Sequence, residues 1–272
     1  MSLITITQSI GSDGSEVARS VADDLKVALY DDARLRDEAV RMGLDVGKLD
    51  EFQEKAPSWF NRLMGDKPEV YANLIASVIY EAARRGEGVI IGHGSQILLQ
   101  DFSCAMHVLV TADKEKRIAN LMEKRAFSRD AAEKVIRNSD RQNREFFQYA
   151  FRKDWEDPSL YDLCVNPAKI GIRRASQTIV ETARSPEVKA CTIYAIDAME
   201  RFSQTKRVEA ALMELDLQPM GAKVEVIEKG IVHISGLIYK YEDIERIERV
   251  IRGIPGVERV DMGVMIMPAV TV

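Results

Sequence analysis

Short apolar runs separated by long amphipathic stretches form the pattern of the first two thirds of the chain. Five runs read LITIT, KVALY, GVIIG, MHVLVTA and YDLCVN, at residues 3–7, 26–30, 88–92, 106–112 and 161–166. Runs this short and this continuously apolar predict strands buried on both faces, as in a parallel sheet covered by helices. The pattern therefore predicts an α/β fold with five parallel strands.

The stretches between these runs have helical periodicity. Residues 113–155 are highly charged and nearly free of Gly and Pro, which predicts two helices. The predicted break lies near Ser128, a residue type that favours the N-cap position. Apolar residues recur at helical spacing after the first run and before the third: Val17, Val21 and Leu25, then Leu74, Ile75, Val78, Ile79 and Ala82.

The order of predicted elements changes near Pro186, which ends one helix. Residues 187–203 are predicted to form a connecting helix with Ile193, Ile196 and Met199 on one stripe. The predicted division is therefore a first domain over 1–184, a helical connector over 185–203 and a second domain over 204–272.

The second domain is predicted to be a small α-β-β-α-β module. Its hairpin turn, EKG, places Gly230 where a positive φ costs little. The helix after the hairpin has an apolar stripe against charged neighbours, and Pro255-Gly256 end it. The stripe comprises Ile244, Ile247, Val250, Ile251 and Ile254.

Charge and hydropathy exclude several classes of protein. The 38 Lys and Arg against 43 Asp and Glu give a formal charge of −5, which argues against broad attraction to nucleic acid or anionic lipid. The N-terminal MSLITITQSI lacks a basic region before a long apolar one, and eighteen apolar residues never run together. We expect neither a signal peptide nor a membrane span.

The three cysteines are odd in number and widely spaced. Cys104, Cys164 and Cys191 have no metal-type pairing, so we expect three reduced thiols that act as buried small apolar residues. Reduced thiols are typical of a cytoplasmic protein, and we predict that location.

Residues 4–19, ITITQSIGSDGSEVAR, carry a strand into a glycine-bearing loop and then into a helix. Such a layout presents backbone N–H groups and a partial positive charge to phosphate, although similar turns also occur without a ligand. A full P-loop reads G-x-x-x-x-G-K-[ST], whose lysine holds the β- and γ-phosphates and whose hydroxyl binds Mg²⁺. This loop has no lysine.

The loop resembles that of the cytidylate kinase-like family of P-loop nucleoside monophosphate kinases, particularly its divergent branch. The resemblance covers about residues 1–184 and continues through ALYDD, APSWF, VIIGHGSQILL and KDWEDPSLYDLCVN. It implies a P-loop kinase-like sheet flanked by helices with a helical lid. It also implies ATP, Mg²⁺ and phosphorylation of CMP, dCMP or a related small acceptor.

The resemblance places six residues along the phosphate loop: Gly11, Ser12, Asp13, Gly14, Ser15 and Glu16. Ordinary family members would have the lysine at Gly14 and the hydroxyl at Glu16, and the divergent branch usually has an arginine at Ser15. Asp13 and Glu16 instead add negative charge where an anion should bind. Glu16 either binds Mg²⁺ or stabilises the first turn of its helix.

Other candidate site residues follow from the same resemblance. It places Asp31 and His93 on the monophosphate side, APSWF (56–60) in the flap and Asn166 near the base. His93 stands where the family has an arginine, and a neutral histidine lacks that fixed charge, so it is a ligand or a structural residue.

Three arginines share one face of a predicted lid helix. Arg137, Arg141 and Arg144 lie at i, i+4 and i+7, and the resemblance implies that they close on the phosphoryl charge during catalysis. An ordinary solvated helix face is the alternative.

Residues 204–268 resemble a BON domain, through VEVIEKGIVHISGLI and IERVIRGIPGVERVDMGVMI. The resemblance implies a module that binds a small ligand or a protein. Two functions therefore stay open: a nucleotide kinase with a degenerate loop, and a catalytically inactive nucleotide sensor whose C-terminal domain binds a ligand or partner. A homo-oligomer is compatible with both.

Overall fold

A five-stranded parallel sheet forms the centre of the first domain. The computed structural model describes residues 3–44, 68–217 and 219–266. The strands are β1 (Leu3–Gln8), β2 (Leu29–Tyr30), β3 (Gly88–Ile91), β4 (Ala105–Val110) and β5 (Leu163–Val165), in the order β2-β3-β1-β4-β5. Every pairing between them is parallel, which confirms the predicted sheet.

Helices cover both faces of this sheet, because successive strand residues point to opposite sides. Leu3 packs into a core with α2 and α3, whereas Ile4 and Ile6 pack into another with α1 and α8. The helices of this domain are α1 (Gly14–Leu25), α2 (Asp32–Arg41), α3 (Pro68–Ala83), α4 (Ser95–Leu98), α5 (Lys114–Arg125), α6 (Arg129–Phe151), α7 (Pro167–Ile170) and α8 (Ile172–Ala183).

The break between the two charged helices lies where the sequence predicts it. Ser128 caps α6, since its Oγ accepts a hydrogen bond from the Ala131 N–H at 3.3 Å. The preceding helix, α5, is capped in the same way by Asp113, whose Oδ1 accepts from the Lys116 N–H at 2.9 Å. These caps fix where both helices begin.

The connector and the first helix of the second domain are one helix, α9 (Ile193–Glu214), so the predicted break at residue 203 is wrong. The predicted stripe is correct for Met199, which is fully buried, but Ile193 is 65% exposed. Midway along α9, the Ser203 hydroxyl donates to the Ser77 carbonyl of α3 at 2.9 Å. Packing against α3 favours a continuous helix, and the domain division itself stays a prediction.

The rest of the C-terminal module has the predicted order, with β6 (Met220–Glu228), β7 (Ile231–Ile238), α10 (Tyr241–Arg252) and β8 (Arg259–Ile266). β7 is central, antiparallel to β6 and parallel to β8. Gly230 adopts φ +79° in the hairpin turn, and Ile247 and Ile251 of α10 are fully buried. The resemblance to a BON domain stays a prediction.

The expectation of three reduced thiols is wrong for Cys104 and Cys191, which form a disulfide. Cys164 is a free thiol, as expected, but it is exposed rather than buried. The pairing forms because the chain before α9 returns to the start of β4, which brings together residues 87 positions apart. Among the described helices, none is both long and apolar enough to cross a membrane.

Candidate functional site

The loop between β1 and α1 adopts a conformation that needs a glycine at its centre. Gly11 has φ +81°, and a Cβ there would lie 2.7 Å from the Arg117 carbonyl oxygen of α5. Asp13 also adopts a left-handed conformation, with φ 64°, immediately before the first residue of α1. The loop is therefore shaped both by its own backbone and by the close approach of α5.

The start of α1 offers backbone donors to an anion. The N–H groups of Asp13, Gly14 and Ser15 make no hydrogen bond within the part of the chain that the structure describes. Ser12 differs, because its N–H donates to the Ser9 carbonyl and its buried hydroxyl donates to the Val110 carbonyl, both at 3.1 Å. Ser12 thus holds the loop to β4, while its neighbours keep the donors that phosphate uses at a helix N-terminus.

The side chain of Gln8 occupies the space that the first side-chain atoms of a lysine at Gly14 would need. Its side chain exchanges hydrogen bonds with the Ser15 hydroxyl at 2.8 and 3.2 Å. A Cβ built on Gly14 would lie only 2.6 Å from both Cβ and Oε1 of Gln8. A lysine at Gly14 is consequently excluded unless Gln8 moves.

Helix α5 places a cation against the loop. Lys124 Nζ lies 2.7 Å from Asp13 Oδ1 and 3.1 Å from Glu16 Oε1, so one ammonium group bridges both loop carboxylates. One turn earlier, the Asn120 amide donates to the Gly11 carbonyl at 2.9 Å and to Asp13 Oδ2 at 3.0 Å. A helix more than one hundred residues away thus supplies one positive charge against the two carboxylates.

Arg117 fixes α5 against the loop and against α6. Its Nε donates to the Ile10 carbonyl at 2.7 Å, and its terminal nitrogens form a two-pronged pair with Asp140 at 2.6 and 3.0 Å. The side chain is only 7% exposed, and paired geometry of this kind fixes orientation as well as charge. Arg117, Asn120 and Lys124 lie at i, i+3 and i+7, so one face of α5 covers the loop.

The contact between Lys124 and Glu16 favours the charged form of both groups. Burial alone would raise the pKa of Glu16, but a hydrogen bond from its own backbone N–H and the contact with Lys124 lower it overall. Burial would likewise lower the pKa of Lys124, but hydrogen bonds to Asp13 and Glu16 raise it. The partial positive charge of the helix N-terminus also favours Glu16 in its first turn.

The opposite wall of the site carries a histidine paired with a carboxylate. His93 Nε2 lies 2.8 Å from Asp32 Oδ1, and the His93 side chain is 10% exposed. The hydrogen bond and the charge of His93 lower the pKa of Asp32. Asp31, the predicted residue, instead caps α2, because its Oδ1 accepts from the Arg34 N–H at 3.0 Å. The neighbour, Asp32, is the residue that faces the site.

A cavity of about 650 Å³ lies between these two walls. Helix α6 closes one side of it with Ser139, Asn143, Phe146 and Phe147. The charged groups that line it are Arg19, Lys124 and Arg125 against Asp13, Glu16 and Asp32. A cavity of this size can hold a small organic ligand such as a nucleotide.

Several predicted site residues lie away from this cavity. Arg137, Arg141 and Arg144 are exposed and do not line it, and Arg144 lies 3.4 Å from Glu156. Asn166 caps α7, since its Oδ1 accepts from the Ala168 N–H at 3.0 Å. The roles predicted for these four residues stay predictions, and APSWF lies outside the described residues.

The structure adds residues that the sequence interpretation missed: Gln8, Asp32, Arg117, Asn120 and Lys124. The helical spacing of the last three was visible in the sequence as a polar stripe. Their partners were not, because the loop lies far away along the chain.

The described residues do not contain a preformed magnesium site. No group of three or more His, Cys, Asp or Glu side chains comes together there. The carboxylates of Asp13 and Glu16 already share Lys124, so a metal ion on them would have to displace that lysine. The metal role of Glu16 stays a prediction.

Comparison with known proteins identifies the first domain. A model of the cytidylate kinase-like family matches residues 3–169. Cytidylate kinases from Pyrobaculum islandicum and Pyrobaculum calidifontis are 25% and 24% identical, over 64% and 63% of this chain and 89% and 87% of their own lengths. A crystal structure of an uncharacterized protein from Eubacterium ventriosum covers 68% of this chain and 99% of its own, with TM-score 0.50 and 18% identity, which shows the fold alone.

Proposed function

The chain belongs to the cytidylate kinase-like family, and we propose that it is a nucleotide sensor, which binds phosphate at the start of α1 without efficient phosphoryl transfer. The observation that carries this proposal is the position of Lys124. Its ammonium has three donors, and the contacts with Asp13 and Glu16 use two of them. The third can bind a phosphate oxygen next to the unpaired N–H groups of Gly14 and Ser15.

The charge of the cavity favours binding over catalysis. Three cations face three carboxylates, so the lining has no net charge when His93 is neutral. Phosphoryl transfer relies on cations that stabilise the charge of the transferred group. Here Lys124 is already engaged, Arg137, Arg141 and Arg144 lie outside the cavity, and a histidine stands at the acceptor wall.

Calorimetric titration with ATP, ADP, CMP and dCMP tests the proposal. We expect binding of at least one nucleotide with a dissociation constant in about the micromolar to millimolar range, and turnover far below that of a cytidylate kinase in a parallel coupled assay. Absence of binding at millimolar nucleotide would contradict the proposal. Turnover equal to that of an active cytidylate kinase would contradict the sensor role.

Phosphorylation of CMP, dCMP or a related small acceptor is the second candidate. The pair of His93 and Asp32 supports a small acceptor that carries a hydroxyl, because a histidine oriented by a carboxylate can accept a proton from that hydroxyl, whereas CMP and dCMP accept on a phosphate oxygen. The coupled assay should then include hydroxyl acceptors as well as CMP, dCMP and UMP. A rate that His93→Gln abolishes, while nucleotide affinity is unchanged, would favour this candidate over the sensor.

A further inference from the structure

A second cavity lies between the two domains, beside Glu38 and Arg41 in the C-terminal half of α2, whereas the first cavity contacts α2 at Asp32. Its volume is about 290 Å³. Helices α2, α3 and α9 form its walls, and two turns of the C-terminal module, at Lys229 and at Pro255-Gly256, close it. Its charged lining comprises Glu38, Arg41, Glu81, Arg84, Glu200, Arg207 and Lys229.

Each carboxylate in this lining already has a cation. Glu38, which is 3% exposed, lies 2.9 Å from Arg41. Glu81 of α3 lies 2.6 Å from Arg84, the residue that follows the end of that helix. The third carboxylate, Glu200, lies 2.9 Å from the Lys229 ammonium. No acidic group of the lining is therefore left to attract a cation of its own.

Arg207 is the exception among the cations. Its guanidinium makes no hydrogen bond and no ion pair with any residue that the structure describes, and its Nε is shielded from solvent without an acceptor. Burial lowers the pKa of Arg207, while the charges of Glu81 and Glu200 oppose that change from beyond ion-pair distance. The Nε of Arg84 is likewise buried without an acceptor. Two arginines of one cavity thus hold donors that the described residues leave unsatisfied, an arrangement that costs stability.

The cavity is held in shape by contacts that join the two domains. The Gln204 amide of α9 donates to the Gly256 carbonyl at 2.7 Å, and its oxygen accepts from the Gly230 N–H at 3.3 Å. One buried side chain therefore ties both closing turns to α9, one helical turn from Arg207. A ligand here would contact the nucleotide-binding domain and the C-terminal module together.

We propose that this second cavity binds a small anion, through a phosphate or carboxylate group that accepts hydrogen bonds from Arg207. A guanidinium offers a planar fork of donors that matches both groups. The volume suits a small metabolite rather than a nucleotide. Binding at this position links the C-terminal module to the first domain.

A thermal-shift experiment in the Lys124→Met background separates this site from the nucleotide cavity. The probes are inorganic phosphate and succinate, each titrated at constant ionic strength. Ligand binding to the native state raises the melting temperature, so we expect at least one probe to raise it in Lys124→Met. The rise should be lost in Lys124→Met/Arg207→Met and kept in Lys124→Met/Arg259→Met, whose exposed arginine pairs with Asp261 outside the cavity.

The two probes distinguish the two chemical sources. A rise with phosphate alone assigns a phosphate-bearing ligand, and a rise with succinate alone assigns a carboxylate-bearing one. No rise with either probe, or the same rise in the Arg207→Met variant, overturns the proposal. Because Arg207→Met and Arg259→Met are compared in the same Lys124→Met background, these outcomes do not depend on whether a nucleotide binds in the first cavity.

A second measurement avoids the risk that Arg207→Met fails to fold. Crystals of the unaltered protein are soaked in tungstate, a phosphate analogue with a strong anomalous signal. We expect an anomalous peak within hydrogen-bond distance of the Arg207 guanidinium. A peak only at the start of α1, or no peak, overturns the assignment to this cavity for phosphate-like anions, and the succinate arm then decides for carboxylates.

Discussion

The two walls of the cavity at the start of α1 differ in the cation that each carries. At the phosphate loop, Lys124 lies between Asp13 and Glu16 and restores a positive charge from another helix. At the acceptor wall, His93 pairs with Asp32, and no fixed positive charge of this pair faces the cavity. The wall that we propose binds phosphate thus carries a lysine, and the pair at the wall proposed to position an acceptor provides no fixed positive charge.

This difference teaches that charge at a site is a property of the fold rather than of one position in the chain. The loop amides need a nearby cation, and any helix that passes close to them can supply it. At the proposed acceptor wall, His93 does not supply the fixed charge and the fork of donors that an arginine would supply. Retained binding with weakened transfer is the expected result.

The largest effect should come from Arg117→Ala, which removes the anchor of α5 on the loop. It leaves Asp140 and the Ile10 carbonyl without a partner, and we expect a loss of about 2–3 kcal/mol in the free energy of unfolding. Urea denaturation measures it. Arg129→Ala is the control, because Arg129 pairs with Glu115 on the exposed surface and should matter much less. Equal losses would show that α5 is not fixed by Arg117.

The second effect is on affinity. Lys124→Met removes the ammonium group that contacts the loop and nearly keeps the length of the side chain. We therefore expect nucleotide affinity to fall at least about tenfold, which is about 1.4 kcal/mol of binding free energy. Lys114→Met, an exposed lysine on the same helix, is the matched control and should leave affinity unchanged. Calorimetry measures both. Unchanged nucleotide affinity in Lys124→Met would show that the charge of Lys124 does not distinguish the two walls in binding.

A third prediction restores the missing lysine. Gly14→Lys with Glu16→Thr should not gain ATP affinity, because the new side chain collides with Gln8. Adding Gln8→Gly opens the space, and we expect about a tenfold gain in ATP affinity, since a lysine then lies beside the phosphate. Gln8→Gly alone should show no gain. A gain in the variant that retains Gln8 would mean that Gln8 does not block this position.

The smallest effect concerns pH at the acceptor wall. His93 lowers the pKa of Asp32 in the folded protein. The ionised carboxylate of Asp32 therefore contributes fully to stability above its unfolded pKa of about 3.9. This contribution is lost as the pH falls through the lower pKa of Asp32 in the folded protein. Asp32→Asn should be less stable than wild type at pH 6, and the difference should shrink toward pH 3. In a His93→Gln background the substitution should have little pH-dependent effect, and a persistent dependence would contradict the pairing.

Local pattern predicted the sheet, the charged helices and the order of the C-terminal module, because buried strands and capped helices leave signals within a few residues. The site depended on contacts between distant segments. Lys124 reaches Asp13 across 111 positions, and Cys104 meets Cys191 across 87. The break predicted at residue 203 failed for the same reason, since α9 is stabilised by α3. The sequence predicted Asp31 at the site, whereas Asp32 lines the cavity and Asp31 caps α2.

A crystal structure of the protein with bound ATP tests the central claim most directly. We predict a phosphate oxygen within about 2.7–3.2 Å of Lys124 Nζ, with the N–H groups of Gly14 and Ser15 donating to the same phosphate. A nucleotide whose phosphates lie away from Lys124, with the lysine still bound only to Asp13 and Glu16, would contradict it.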